Sequence, residues 1–151
     1  MVFLQELAGF FITKFLLHLA IMNQDQPTRL EGTKLQNFIP LTEAVAQLEI
    51  IDTTPGTGEI VEPGATITAH YTGALVADGT IFQSSHDMGR PITFGLNQVI
   101  TGWQKGVPGM KIGGTRRLII PAVQAYGAQS PAPNIPANAD LVFDIELTAI
   151  N

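Results

Sequence analysis

TITAHYTGAL, residues 66 to 75, alternates without a break. Ile67, Ala69, Tyr71 and Gly73 point one way, and Thr66, Thr68, His70 and Thr72 point the other. That is the two-residue period of a strand with one buried face, and it places Tyr71 on the core side. DLVFDIELTAI, residues 140 to 150, carries a second such pattern. Leu141, Phe143, Ile145 and Leu147 share one face, and Asp144 and Glu146 lie opposite. LEIIDT (48–53), PITFGL (91–96) and TRRLIIP (115–121) are short β-type runs set between Gly, Pro, Asp and Asn, the texture of an antiparallel sheet of about five strands. Within TRRLIIP, Arg116 and Arg117 are expected to bracket the strand, with one of them in solvent.

One segment reads as helical: TGWQKGV, Thr101 to Val107, bounded by Gly102 and Pro108. It is too short to stand alone in water, so packing against the sheet must hold it. Trp103 is the largest side chain it has to bury. The expected class is therefore α+β, a twisted antiparallel sheet wrapped around one short α-helix.

Two stretches precede this unit. Residues 1–22, MVFLQELAGFFITKFLLHLAIM, are strongly apolar, but the uncharged run after Lys14 is short against the roughly 20 residues a bilayer requires. No basic start and no A-x-A site mark a secretory signal. The segment is open between a membrane anchor or uncleaved signal and a cytoplasmic extension, and localisation stays open with it. Residues 23–46 turn polar, carry Pro27, Gly32 and Pro40, and show no sustained period. They read as a linker, or as an arm in which Leu35, Phe38 and Ile39 dock on the domain. Residues 47–151 form the domain.

The net charge of -5 gives no electrostatic footprint for a phosphate backbone, which excludes nucleic acid as the expected partner. With no cysteine, neither disulfides nor thiolate metal sites are available. His18, His70 and His86 show no ligand spacing with one another or with carboxylates, so no metal site is expected. The glycines of TPGTGEIVEPG are not followed by the Lys-Ser or Lys-Thr of a phosphate loop. Ser84 and Ser85 have no evident base for nucleophilic catalysis.

HYTGAL (70–75), DGTIFQSS (78–85), QVITGWQKGVPGMKIGGTRRLIIP (98–121), AYGA (125–128) and IPANADLVFDIEL (135–147) occur in one order over about the last 100 residues. In combination they resemble the FKBP-type peptidyl-prolyl cis-trans isomerases. The resemblance implies an apolar pocket between sheet and helix, lined by Tyr71, Phe82, Ile92, Phe94, Val99, Ile100, Trp103, Tyr126, Ile135 and Phe143. It assigns the Ile100 backbone N–H and the Tyr126 hydroxyl as donors to the substrate, and the catalytic candidates are these two with Gln83, whose amide can donate or accept a hydrogen bond. The partners it implies are proline-containing polypeptides and macrolide inhibitors, taken up by a monomer without cofactor. The chain departs from the family pattern at Gln83, where an acidic residue is frequent, at Ile92, where an aromatic is common, and at Asn134, where many members are apolar.

Overall fold

The structure, a computed structural model, describes residues 28–151. The expectations for residues 1–22, anchor or extension, lie outside the described residues. Among those that are described, no helix is long and apolar enough to cross a membrane.

Among the described residues the strands are β1 (Glu49–Thr54), β2 (Thr66–Leu75), β3 (Ile81–Ser84), β4 (Ile92–Gly95), β5 (Thr115–Ile120) and β6 (Leu141–Ile150), with one short α-helix, α1 (Thr101–Gly106). They form a single antiparallel sheet in the order β1-β5-β6-β2-β3, and β4 also pairs with β2. The fold is α+β as expected. The strand beyond the expected five is β3, whose four residues are too few to display a period.

One edge of β2 is shared by two short partners. Thr66 to Ala69 face β4 and Thr72 to Ala74 face β3. Tyr71 falls in the gap between them, where the Ser85 hydroxyl stands in for a strand: it accepts from the Tyr71 N–H at 2.9 Å and donates to the Tyr71 carbonyl at 3.3 Å. Backbone polar groups in a buried stretch need such partners.

The sheet carries a core on each face. Leu118, Ile120, Leu141, Phe143, Ile145 and Leu147 belong to the larger core, together with Ile67, Ala69, Tyr71 and Trp103 of α1. Ala74, Val76, Ile81, Ile119 and Val142 form a smaller core with Leu35, against which Leu30, Phe38 and Val45 pack. The polar stretch before the domain is thus laid on the sheet over its described part. Leu35 is buried and Phe38 half-buried, whereas Ile39 points outward and is 84% exposed. Its contacts are single residues meeting separate gaps, so no period could announce them.

Backbone bonds from Gly32 to Ile81, Leu35 to Gly79 and Leu41 to Val76 fix this arm in place. Neither arginine of β5 is in solvent. Arg117 pairs with Asp144 at 2.7 Å, donates to the carbonyls of Gln36 and Asn37, and lies 5.7 Å from the centre of the Phe38 ring. Arg116 is buried, pairs with Asp52 at 2.6 Å, and donates to the carbonyls of Gly106 and Pro108. The expectation that one arginine is solvated is therefore corrected: alternation assigns faces, and here the arm covers the second face.

Candidate functional site

The site is built where α1 crosses the sheet. Gly102 and Gly106, one helical turn apart, face β5 so closely that an added Cβ would lie 2.5 Å from Ile120 and 2.7 Å from Leu118. Trp103, beside Gly102, is 3% exposed and meets three rings edge-on: Phe94 at 5.2 Å, Phe143 at 5.4 Å and Tyr71 at 5.8 Å between centroids. Phe82 closes the set against Phe143 at 5.7 Å, with the ring planes at 84°. Edge-to-face pairs of this kind contribute about 0.5–1.5 kcal/mol each beyond the area they bury. The result is a rigid box of five aromatic rings.

The box opens into a cavity of about 280 Å³ lined by Tyr71, Phe82, Gln83, Phe94, Gln98, Val99, Ile100, Trp103, Tyr126 and Phe143. Most of the residues assigned from sequence meet there, and two do not. Ile92 sits half-buried on β4 opposite Ala69 and packs on the core beside the cavity. Ile135 is buried in the same core and faces a neighbouring groove. Gln98 was not singled out from sequence. It ends the 3-10 turn Leu96–Gln98, and adjacency to Val99 and Ile100 was its one available signal.

The rim is polar and held in place. Ile100 occupies the N-cap of α1 in an extended conformation, and its carbonyl accepts from the N–H groups of Trp103 and Gln104. The Gln104 side chain donates to the Val99 carbonyl at 2.8 Å, fixing the peptide just ahead of Ile100. Tyr126 follows the 3-10 turn Ala122–Gln124 and is 39% exposed, so its phenol reaches both cavity and solvent. Its loop is pinned from both ends: Asp140 accepts from the Ala122 N–H at 2.9 Å, and the Asn138 N–H donates to the Gly127 carbonyl at 2.8 Å. Asn134 donates to the Phe82 carbonyl at 2.8 Å and so ties the following loop to the box.

Burial pushes the Tyr71 phenol above its ordinary pKa, and the nearby Tyr126 phenol adds to the shift. That shift favours the uncharged phenol at Tyr71. The Trp103 indole N–H is buried and has no hydrogen-bond partner among the described residues.

Outside the box, strand pairing aligns His70 with Glu146, which sequence distance concealed. The His70 and His86 rings stack at 4.1 Å, and His86 Nε2 lies 3.1 Å from Glu146. Among the described residues, no group of three or more His, Cys, Asp or Glu side chains is placed to hold a metal.

The arrangement can enclose a small apolar ring, strip water from the group attached to it, and present polar donors at the mouth. Residues 58–148 match the model of the family described as FKBP-type peptidyl-prolyl cis-trans isomerase. The peptidyl-prolyl cis-trans isomerase FPR2 of Saccharomyces cerevisiae is 48% identical over 90 residues, which cover 58% of this chain and 67% of that protein. The protein named FK506-binding protein in Neisseria meningitidis serogroup A is 44% identical over 108 residues, 70% of this chain and 98% of that one. Among solved structures, FkpA from Escherichia coli superposes with a TM-score of 0.63 at 38% identity over 69% of this chain; the match spans about half, 48%, of the FkpA chain.

Proposed function

Because the chain belongs to the FKBP-type peptidyl-prolyl cis-trans isomerases, we propose that its ring-lined cavity binds the proline of a polypeptide substrate and accelerates rotation about the preceding amide. The barrier is the partial double bond, about 18–20 kcal/mol for a peptide amide. No covalent bond breaks, so no nucleophile or cofactor is needed. As the amide twists it loses resonance and its carbonyl loses dipole. Removing water from that carbonyl therefore favours the twisted form over the planar one. Five packed rings do this while gripping the pyrrolidine.

In this reading the Ile100 N–H and the Tyr126 hydroxyl hold the carbonyls on either side of the proline. Gln83 orients the mouth through its amide, which both donates and accepts where a carboxylate would only accept. The apolar walls favour substrates with an apolar residue before proline, and macrolides compete for the same rings. An uncatalysed exchange of tens to hundreds of seconds makes such a catalyst useful in protein folding. The observation that carries the reading is the enclosure of Trp103 by Tyr71, Phe94 and Phe143 at the base of the cavity.

A protease-coupled isomerisation assay on a blocked proline tetrapeptide tests it, with turnover well above the uncatalysed rate expected. Tyr126→Phe removes one hydrogen bond and should lower kcat/KM by about two- to tenfold. Trp103→Leu should weaken peptide binding further. A folded protein that binds proline peptides but leaves the rate at its uncatalysed value would instead be a proline-binding module. Retention of both binding and activity in Trp103→Leu would overturn the pocket assignment.

A further inference from the structure

The cavity borders a second, larger depression. Phe82 and Gln83 line the cavity on one side and, on the other, line this groove of about 1020 Å³ against the 280 Å³ of the cavity itself. The groove has three walls among the described residues: the arm at Thr28–Glu31, the 3-10 turn Ser85–Met88 with the end of β3, and the loop around Asn134.

These walls are tied together. The Asp87 carboxylate accepts from the N–H groups of Leu30 and Glu31, at 2.7 and 2.9 Å, clamping the arm to the turn. Asn134 bridges the Phe82 carbonyl and Glu31, the latter at 3.4 Å. The charges of the arm and turn are largely met from within, since Arg29 pairs with Glu31 and Asp87 is engaged by backbone donors. What the groove leaves available is apolar surface at Met88, 48% exposed, and half-buried Leu30, beside the neutral amides of Gln83 and Asn134.

We propose that this groove holds the substrate chain flanking the proline, as an extended, uncharged polypeptide segment with an apolar side chain seated against Met88 and Leu30. The inference rests on the isomerase reading of the cavity. Adjacency through Phe82 and Gln83 carries it: these two residues line both spaces, so one flank of a polypeptide whose proline is in the box meets the groove where it passes over them. Met88, Leu30, Gln83 and Asn134 suit backbone and apolar side chains, whereas an anionic ligand would find Arg29 and His86, the basic side chains of the lining, already paired with Glu31 and Glu146. Asp87 is then a positioning residue, setting the distance between arm and turn.

The experiment uses the full chain and two substrates, the blocked tetrapeptide and a denatured protein whose refolding is limited by one X–Pro bond. Met88→Asp places a carboxylate in the groove away from the box. It should lower kcat/KM on the refolding protein by about three- to tenfold, the worth of one apolar contact, and leave tetrapeptide turnover unchanged. Asp87→Ala, which releases the arm, should shift the same ratio in the same direction. Unchanged refolding catalysis in Met88→Asp, or equal losses on both substrates, overturns the groove. A gain on the refolding protein also overturns it, because the occupant displaced would be part of this chain. Wild-type protein inactive on the tetrapeptide overturns the isomerase reading instead.

Discussion

Gly73 is the point at which β2 passes directly beneath two rings of the box. A Cβ there would lie 2.5 Å from Phe82 Cζ and 2.7 Å from Phe143 Cε1, closer than such atoms approach. Gly73→Ala must push one ring outward, at a cost of about 1–3 kcal/mol for overpacking a filled core. Two measurements should move together: the denaturant midpoint falls, and affinity for a proline peptide falls with it. A loss of stability with unchanged affinity would show that the rings shift away from the cavity. Alternation in TITAHYTGAL placed Gly73 on the same face as Tyr71 and left open why it is a glycine. That reason lies in Phe82 and Phe143, which are distant in sequence and converge only across the paired strands.

The helix shows the same limit one level up. Its extent was legible from TGWQKGV, and so was its dependence on packing. Gly102 read as a boundary, yet it lies inside α1, where it and Gly106 let the backbone settle onto Ile120 and Leu118. Glycine costs about 1 kcal/mol relative to alanine in a helix, so propensity alone would favour Gly106→Ala. The close approach reverses the sign. Gly106→Ala should destabilise the fold by about 1–3 kcal/mol net of that gain, and should lower proline-peptide affinity by tilting Trp103. Chemical denaturation and peptide titration check it, and a rise in stability would mean that the helix can retreat from the sheet freely. Arg116 reinforces the seat by donating to the Gly106 and Pro108 carbonyls at the end of the helix, where backbone acceptors lack helical partners.

At the scale of the molecule, surface carboxylates tie distant segments together. The Arg116 hydrogen bond holds Asp52 below the usual carboxylate pKa, and backbone N–H donors do the same for Asp78 and Asp87. A carboxyl whose pKa is depressed on folding stabilises the fold above its unfolded value, about 3.9, and that contribution is lost as pH falls through the lower folded value. The melting temperature should therefore hold steady near neutrality and fall below about pH 4. Asp52→Asn should flatten that acid limb. An acid limb identical to the wild type would remove Asp52 from the account. Most strands and their buried faces were readable from strand periods, whereas their order in the sheet, with β6 between β5 and β2, emerges only from the pairing. The arm was legible only as one of two alternatives, because Leu35 and Phe38 cover single gaps in a polar stretch, and Arg117 is held by carbonyls of the residues between them.

Strand β6 lies between β5 and β2, although all the other described strands precede it in the sequence. During synthesis, at about 5–20 residues per second, the sheet consequently waits in two halves until residues 141–150 have left the ribosome. Phe143, one wall of the ring box, arrives with that strand. A nascent copy thus has no finished box while its own prolines, 10 in the full sequence, are emerging. Their isomeric state during translation is left to chance or to molecules already complete, and a newly made copy begins to act on others only after its middle strand is in place.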